Sequence, residues 1–496
     1  MLAAASGLAA GALVAAPVRG WLSPVIAIGD RVVDAVPRPV KEFAIDVFGT
    51  ADKIALIVGI LSILAVVAAG IGLVARRRRT LALVLTAGIG VIGAAAALAD
   101  STLTAAAALP SLTAGVAAVA VLAFLTRDRS ETTGDATNGS RRTVLRDLGM
   151  VTAGAAAVGG GGRLLTRSRA AQLEAAREAT GLPTPTDPVA LPQDISLDID
   201  GIAPWQTSNA EFYRIDTQLS VPRLDREGWT LRVHGQVDQE RTWTLDELEQ
   251  EFEVIERAIT LTCVSNEIGG NLVGTATWTG VRVADVLEAV GVDASATQLV
   301  GRAFDDFTVG YPVEAAFDRD AMLVVGMNGE PLPAAHGFPL RMIVPGLYGY
   351  VSATKWLTEL ELTTFEAFDQ YWVERDWDQE APIKTMSRID TPKGLETVAA
   401  GTVPIAGVAW AQTRGITKVE VSIDEGPWQE AELGPAFNDV TWRQWAYRWD
   451  TTGVAAGRHD VRCRATDVTG EAQTEDRQPP FPNGASGWPS VAVFVP

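Results

Sequence analysis

The chain has 496 residues, enough for several domains; it is 47% hydrophobic and carries a formal net charge of −19. The charge is unevenly spread: residues 1–189 hold 18 basic and 13 acidic side chains, whereas the rest holds 23 and 47. A soluble part this acidic argues against nucleic-acid binding, which needs a basic face, and two cysteines allow at most one disulfide.

Residues 1–125 are almost wholly Ala, Leu, Val, Ile and Gly and read as about four transmembrane helices. Leu2 to Val18 is short and starts so abruptly that a few residues are expected to precede it. Ile54 to Ala75, Leu81 to Ala99 and Thr102 to Leu125 approach the roughly 20 apolar residues that cross a bilayer. These runs lack the polar face of a soluble core helix. Arg76 to Arg79 place the loop between the second and third runs in the cytoplasm, so Arg19 to Asp52 and the turn at Asp100 fall outside. With so few ionisable groups inside, a transporter finds no support.

Residues 126–165 are expected to hold a polar cytoplasmic linker (Thr126 to Ser140), the run SRRTVLR (Ser140 to Arg146) and an Ala- and Gly-rich fifth membrane segment (Leu148 to Gly162). SRRTVLR matches the twin-arginine export pattern, although paired arginines are also common as positive-inside anchors. Residues 166–194 read as a short helix and a Pro-rich tether, GLPTPTDPVALP. This topology describes a multi-pass protein of the cell membrane with its soluble part extracytoplasmic. The positive run Arg163 to Arg169 fits that placement least well.

The soluble part divides into 195–378 and 379–496. Trp229 to Val237 alternates like a strand. Thr244 and Glu247 form a capping box at a helix start. Val281 to Val292 is an amphipathic helix closed by Gly291. Ile259, Leu261 and Cys263 alternate with Thr260 and Thr262 as a buried strand, which Ser265, Asn266 and the Gly269-Gly270 pair break into a loop. A thiol at that point has three readings: a small core residue, the usual one; a nucleophile with a neighbouring base; or a thiolate completing a metal's ligand set from a cofactor. Cys463, in the alternating run DVRCRATD, reads as core. From Ala381 onward, runs such as TVPIAGVAWA, ITKVEVSID and WRQWAYRWD read as a β-sandwich.

The runs LTCVSNEIGG, TATWTGVRVADVL and MNGEPLPAAHGFPLRMIVPGLYGYVSATKWLTELEL closely resemble the sulfite oxidase family of molybdopterin enzymes, from about Asn209 to the C-terminus. HGFPLR (His336 to Arg341) and Lys355-Trp356, in that order, make the resemblance specific. It implies an α+β sulfite-oxidase-like molybdopterin domain over 195–378 and an immunoglobulin-like dimerisation domain over 379–496. The whole fold is then a transmembrane all-α bundle of about five spans followed by these two domains. Cys263 is implied as the one protein ligand to molybdenum, with dithiolene sulfurs supplying most of the coordination. Asn209, Phe212 and Tyr213 are implied on the pterin side, Arg214 facing the anion and Asp305 as a further pterin contact. His336 and Arg341 are implied to hold the pterin and its phosphate, which a planar guanidinium suits. Ser352, Ala353 and Thr354 are implied to line a phosphate loop to which Lys355 adds charge. Arg443, in TWRQW, is implied to bring an arginine back to the active site. Tyr371 stands near the place of the family's catalytic tyrosine, which is Phe368 here. Taken singly, Asn209 is a turn residue, Arg214 a surface charge and His336 a satisfied core histidine; together with the cysteine motif they rise above that.

The resemblance implies oxygen-atom transfer at a small oxyanion or sulfur compound. Sulfite oxidases carry arginine shortly after the cysteine, whereas this chain has Glu267 and Ile268. A carboxylate there repels a dianion, so sulfoxide reduction is the alternative. The chain has no CxxCH or iron–sulfur motif, and none of His234, His336 and His459 lies in a membrane run. Electrons are therefore expected to pass to or from a separate cytochrome or quinone-linked partner. A homodimer through the C-terminal domain follows by analogy alone. The alternative from a different class is a non-catalytic, membrane-anchored binding protein, against which the retention of Cys263, His336, Arg341 and Lys355 argues.

Overall fold

A computed structural model describes residues 1–18, 21–36, 40, 47, 52–99, 105–127, 138–219, 221–222 and 224–496. The chain forms two compact units, Met1–Ala176 with Thr217–Arg223 and Arg177–Asp216 with Leu224–Pro496.

The first unit is helical. Three helices are long and apolar enough to cross a membrane, Lys53–Ala75, Arg79–Leu98 and Ala105–Leu125; Leu2–Ala15 is apolar but shorter. Large side chains such as Ile54, Ile63, Val66 and Leu73 point outward, while small ones face inward. A Cβ on Gly90 would fall 2.7 Å from the Cα of Gly115, so these helices meet backbone to backbone, as membrane helices do. The expected turn at Asp100, the linker residues 128–137 and much of the segment between Arg19 and Asp52 lie outside the described residues.

SRRTVLR, the expected fifth segment and the start of the expected tether form one helix, Asn138–Ala179. No proline interrupts it, and QLEAAREA near its end is rich in strong helix formers. It stops just before Gly181 and Pro183, where the backbone must leave the helical region. Its charges keep it outside the three helices with the length and apolarity of a span.

In the second unit, β1 (Thr230–Gly235), β2 (Arg241–Thr244), β3 (Val254–Thr262), β4 (Val273–Arg282), β5 (Gln298–Ala303) and β6 (Thr308–Pro312) come first. They are followed by β7 (Met322–Met327), β8 (Glu330–Pro331), β9 (Arg341–Ile343), β10 (Thr354–Lys355) and β11 (Leu357–Thr363). They build one sheet in the order β2-β1-β11-β5-β6 and a second in the order β10-β9-β7-β4-β3, with β8 on β7. The capping box at Thr244 and Glu247 is formed, and Gly291, with φ of 67°, ends Val283–Val290. The expected tether lies along the edge strand β3: Thr186 N–H donates to Val254 O (2.9 Å) and Arg257 pairs with Asp187 (2.8 Å). Prolines in that segment give up N–H groups an outermost strand does not need, and the edge is covered.

β12 (Met386–Thr391), β13 (Thr402–Trp410), β14 (Ile416–Ile423), β15 (Gln429–Glu430), β16 (Glu432–Leu433), β17 (Arg443–Asp450), β18 (Gly457–Asp467) and β19 (Ser490–Val495) form two further sheets. Their orders are β12-β13-β17-β16 and β15-β14-β18-β19, with a shared core that includes Ile405, Trp445 and Cys463. Position 379 is no break in the interior. Trp410 and Trp442 belong to the same hydrophobic cluster as Trp205 and Trp356, and Trp442 Nε1–H donates to Trp205 O at 2.7 Å.

Candidate functional site

The loop after β3 is closed by its own backbone. Cys263 N–H donates to Leu272 O (2.9 Å) and Asn266 N–H to Cys263 O (3.0 Å). The buried Asn266 side chain accepts from Leu272 N–H (2.8 Å). Burial pushes the Cys263 thiol above its usual range, against donors on Ser265 and the charge of Lys355, which pull it down. Among the described residues no cluster of three His, Cys, Asp or Glu could hold a metal. A metal at Cys263 would therefore take its other ligands from a cofactor.

Two cations stand near this loop, and the charge of Lys355 acts on the Cys263 thiol. Lys355 and Arg341 face each other across the antiparallel β10–β9 pair. Arg341 is buried, and the Lys355 side chain is only 12% exposed. Burial pushes Arg341 down to about 10 and Lys355 down to about 8. Like charges directly opposite in a sheet destabilise it, more so when desolvated. Asp216 offsets part of this, accepting from Lys355 Nζ (2.7 Å) and Arg214 Nε (2.7 Å). Three cations to one carboxylate leave a net positive site, and Arg341 Nε is buried with no partner. This donor set fits a phosphate-bearing group.

His336 sits between. Its Nε2 meets Asn209 O at 3.0 Å, and Arg341 donates to its carbonyl at 3.2 Å. Burial and the neighbouring Arg341 push its imidazole down to about 4, so it is neutral at pH 7. A carbonyl accepts only, so the proton is on Nε2 and Nδ1 is an acceptor. Gly337, with φ of 116°, allows the close approach: a Cβ there would lie 3.1–3.2 Å from Arg341 and Lys355. Phe212 stacks on Tyr213 (5.2 Å) and meets Trp278 and His336 edge-on. The Tyr213 hydroxyl is pushed up by burial and by Cys263, and held down by Arg341. Tyr213 therefore lies within reach of both halves of the site.

The structure gathers Asn209, Phe212, Tyr213, Arg214, Cys263, His336, Arg341 and Lys355. Other expected residues are placed differently. Asp305 is in the β5–β6 turn beside Phe304, whose ring meets Trp356 (6.0 Å). Ser352 donates to Leu347 O and Tyr348 O, and Ala353 N–H is used by Gly349 O. Thr354 Oγ1 is buried without a partner. The Tyr371 ring packs on Phe307 and Trp372 under the Arg375 guanidinium. Arg443 donates to Gly434 O (2.7 Å) and Ile416 O (3.0 Å) within the C-terminal sheets. The arginine that instead reaches the cysteine loop from that side is Arg388, donating to Gly270 O (3.2 Å) while paired with Asp390. Tyr348 is also near: its hydroxyl, pushed up to about 12 by burial, is sensitive to Cys263. Neither carries a sequence signal, since SRID and LYGY look like ordinary strand and turn.

Residues 218–372 match the family described as "oxidoreductase molybdopterin binding domain". The chain is similar to the mitochondrial sulfite oxidases of Macaca fascicularis and Homo sapiens, 32% identical over 330 residues, covering 56% of this chain and 59% of each relative. It is also similar to NADH nitrate reductase 1 of Oryza sativa subsp. japonica, 34% identical over 194 residues, covering 34% of this chain and 21% of that one. The chain thus spans about three fifths of the length of these sulfite oxidases. Among solved structures, the sulfane dehydrogenase SoxCD from Paracoccus pantotrophus shares the fold, with a TM-score of 0.52 and 20% identity, covering 59% of this chain and 82% of that one.

Proposed function

We propose, from the premise that this chain belongs to the sulfite oxidase family of molybdopterin oxidoreductases, that it is a membrane-anchored enzyme moving an oxygen atom to or from a small sulfur compound. The observation that carries this is the buried Arg341–Lys355 pair, with the charge of Lys355 acting on Cys263 and Tyr213 feeling both Cys263 and Arg341. When bound, the cofactor supplies the dithiolene-held molybdenum at which oxygen-atom and electron transfer occur. The chain supplies the rest. Cys263 is the thiolate ligand. Arg341 and Lys355 neutralise the pterin phosphate, and His336 offers Nδ1 to a pterin N–H while Asn209 fixes its tautomer. Asp216 keeps Arg214 and Lys355 in place. Electrons pass to or from a separate cytochrome or quinone-linked partner, outward in oxidation and inward in sulfoxide reduction.

Sulfite or a related oxyanion is the first reading of the substrate. The exposed Glu267 in the cysteine loop favours a second, an uncharged sulfoxide, because a carboxylate near the entrance repels a dianion. In the membrane part, Leu2–Ala15 and the Leu148–Gly162 stretch join the three apolar helices as five spans. Arg76 to Arg79 lie in the cytoplasm, and twin-arginine export carries the folded domain outward. Alkaline phosphatase fused after Pro188 should then be active; inactive fusions there would refute the topology. The C-terminal sandwich, read as immunoglobulin-like, would pair two copies, which light scattering checks. The primary test is molybdenum and pterin content of protein made in a cofactor-competent host, with Cys263→Ser beside it. Equimolar metal with turnover in wild type alone supports the enzyme; its absence leaves a membrane-anchored binding protein.

A further inference from the structure

The segment 365–380 carries chemistry that the cofactor pocket does not use. Five of its sixteen residues are aromatic, in a chain that is 7% aromatic, and six are acidic against one basic, Arg375. The rings form a continuous surface. Tyr371 meets Phe307 (5.4 Å) and Trp372 (5.1 Å), Trp372 meets Trp377 (5.9 Å), and Trp377 meets Phe481 (5.4 Å). All five are only half-buried, whereas Trp205, Trp278 and Trp356 are almost wholly buried. Arg375 is laid over the Tyr371 ring at 3.6 Å and donates to the Tyr371 carbonyl (2.6 Å). One cation against six carboxylates leaves the rim around the rings acidic, and Asp305 and Asp306, next to Phe307, add to it.

This surface connects to the cysteine loop through one turn of chain. Trp377 also meets the Tyr350 ring (5.5 Å), and the Tyr350 hydroxyl donates to Asp378 O (2.6 Å). Tyr350 lies in the short helix Gly349–Ser352, which Tyr348 precedes. A Cβ on Gly349 would lie 3.9 Å from the carbonyl oxygen of Thr262, the residue before Cys263. The Tyr348 hydroxyl is sensitive to Cys263. In the proposed reaction electrons pass to or from a separate partner, and this turn offers them a contact path to the surface.

We infer that this aromatic surface is the docking face of the electron-transfer partner, a protein that meets it with an apolar centre ringed by lysine or arginine. The inference rests on the proposed oxidoreductase reading and names the chemistry of its partner. Tryptophan and tyrosine are the commonest anchors of protein interfaces. A charged rim steers a short-lived encounter without needing a large area. An anionic bilayer surface would be repelled by the same carboxylates.

The experiment titrates the full-length, detergent-solubilised holoenzyme calorimetrically with a lysine-rich c-type cytochrome, at low ionic strength and again at physiological salt. The exposed Glu366, Asp369 and Asp376 are neutralised together by Glu366→Gln, Asp369→Asn and Asp376→Asn; asparagine tolerates the φ of 66° at position 376. Binding should weaken about tenfold in this variant at low salt, and by less once salt screens the rim. Three exposed carboxylates neutralised in the C-terminal part, by Glu430→Gln, Glu432→Gln and Asp439→Asn, should cost less than about threefold, which separates a docking face from general attraction to an acidic protein. Trp372→Ala should weaken binding about tenfold at both salt concentrations, because apolar burial is not screened. Electron transfer with the cytochrome should fall in parallel, while transfer to hexacyanoferrate, too small to need the face, should not fall in the first triple variant. No binding by wild type, or equal loss in the two triple variants, overturns the docking face and leaves the oxidoreductase reading intact. Wild-type protein without molybdenum defeats that reading separately, and because the titration needs no turnover it still decides on the face.

Discussion

The two cysteines mark two regions built on different terms. Both are free and buried, and in both burial pushes the thiol up, Cys463 to about 12. Cys463 stands in the middle of β18, its Sγ 3.3 Å from the Ser387 hydroxyl, inside an apolar sandwich core. Cys263 stands one residue past the end of β3, where the chain leaves the sheet, and it faces Lys355 and the donors of Ser265. Burial alone separates nothing here. What differs is the charge each thiol meets: Lys355 pulls Cys263 down together with the Ser265 donors, whereas at Cys463 the Ser387 contact is opposed by the Asp390 carboxylate, which pushes the thiol further up.

The sharpest way to break this comparison is to make the same change in both places. Cys263→Ser should abolish turnover, by more than about 10³-fold, and lose molybdenum, since a hydroxyl is a poor substitute for a soft thiolate ligand. Cys463→Ser should leave metal content and turnover unchanged and cost about 1–2 kcal/mol of stability for the added polarity in a tight core. Equal loss of metal in both variants would mean that the C-terminal region, not the loop after β3, governs the centre.

A second change tests whether the cationic wall is built for a ligand. Arg341 and Lys355 are opposite, desolvated and of like sign, which no folding requirement explains. Removing one of two like, desolvated charges relieves their mutual repulsion and its desolvation cost. Arg341→Met should therefore raise the melting temperature of cofactor-free protein while cutting pterin retention at least about tenfold. If the variant melts lower without cofactor, the guanidinium is a structural strut and the anion-site reading fails.

Much of this was legible in the sequence, and the failures have physical causes. Strand alternation into Cys263, the capping box at Thr244 and the core position of Cys463 all follow from local patterns, and the structure has them. The company of His336, Arg341 and Lys355 was legible because they lie within twenty residues, Arg341 and Lys355 on paired strands and His336 in the turn just before them. Residues that come to the site through tertiary folding were not legible. Arg388 reaches Gly270 from 118 positions away. Arg443 and Tyr371 went the other way, expected at the site but engaged with Gly434 and Ile416 and with Phe307 and Trp372. The long helix Asn138–Ala179 escaped because glycines and arginines in its middle look like boundaries; each glycine costs about 1 kcal/mol relative to Ala, a cost the helix formers on either side offset.

The smallest expected effect is a pair of opposed pH dependences, one in each region. His336 is pushed down to about 4. A depressed folded pKa contributes stability that is whole above the unfolded value, about 6.5, and is lost as pH falls from there toward 4. His459 is raised instead, first by the Asp424 carboxylate at 2.6 Å and then by the Ala455 carbonyl. Both its ring nitrogens face acceptors, so the imidazolium suits it. Its contribution is full below about pH 6.5 and is lost as pH rises through the raised folded value. With Asp424 half-exposed, the pair is worth at most about 1 kcal/mol. His459→Gln should therefore flatten the loss of stability as pH rises above about 6.5, and His336→Gln should flatten the loss as pH falls from about 6.5 to about 4, both measured by denaturant melts at fixed ionic strength. If His459→Gln altered the acid limb instead, the Asp424 contact would not be holding a proton, and the contrast between a histidine lowered at the site and one raised in the sandwich would collapse.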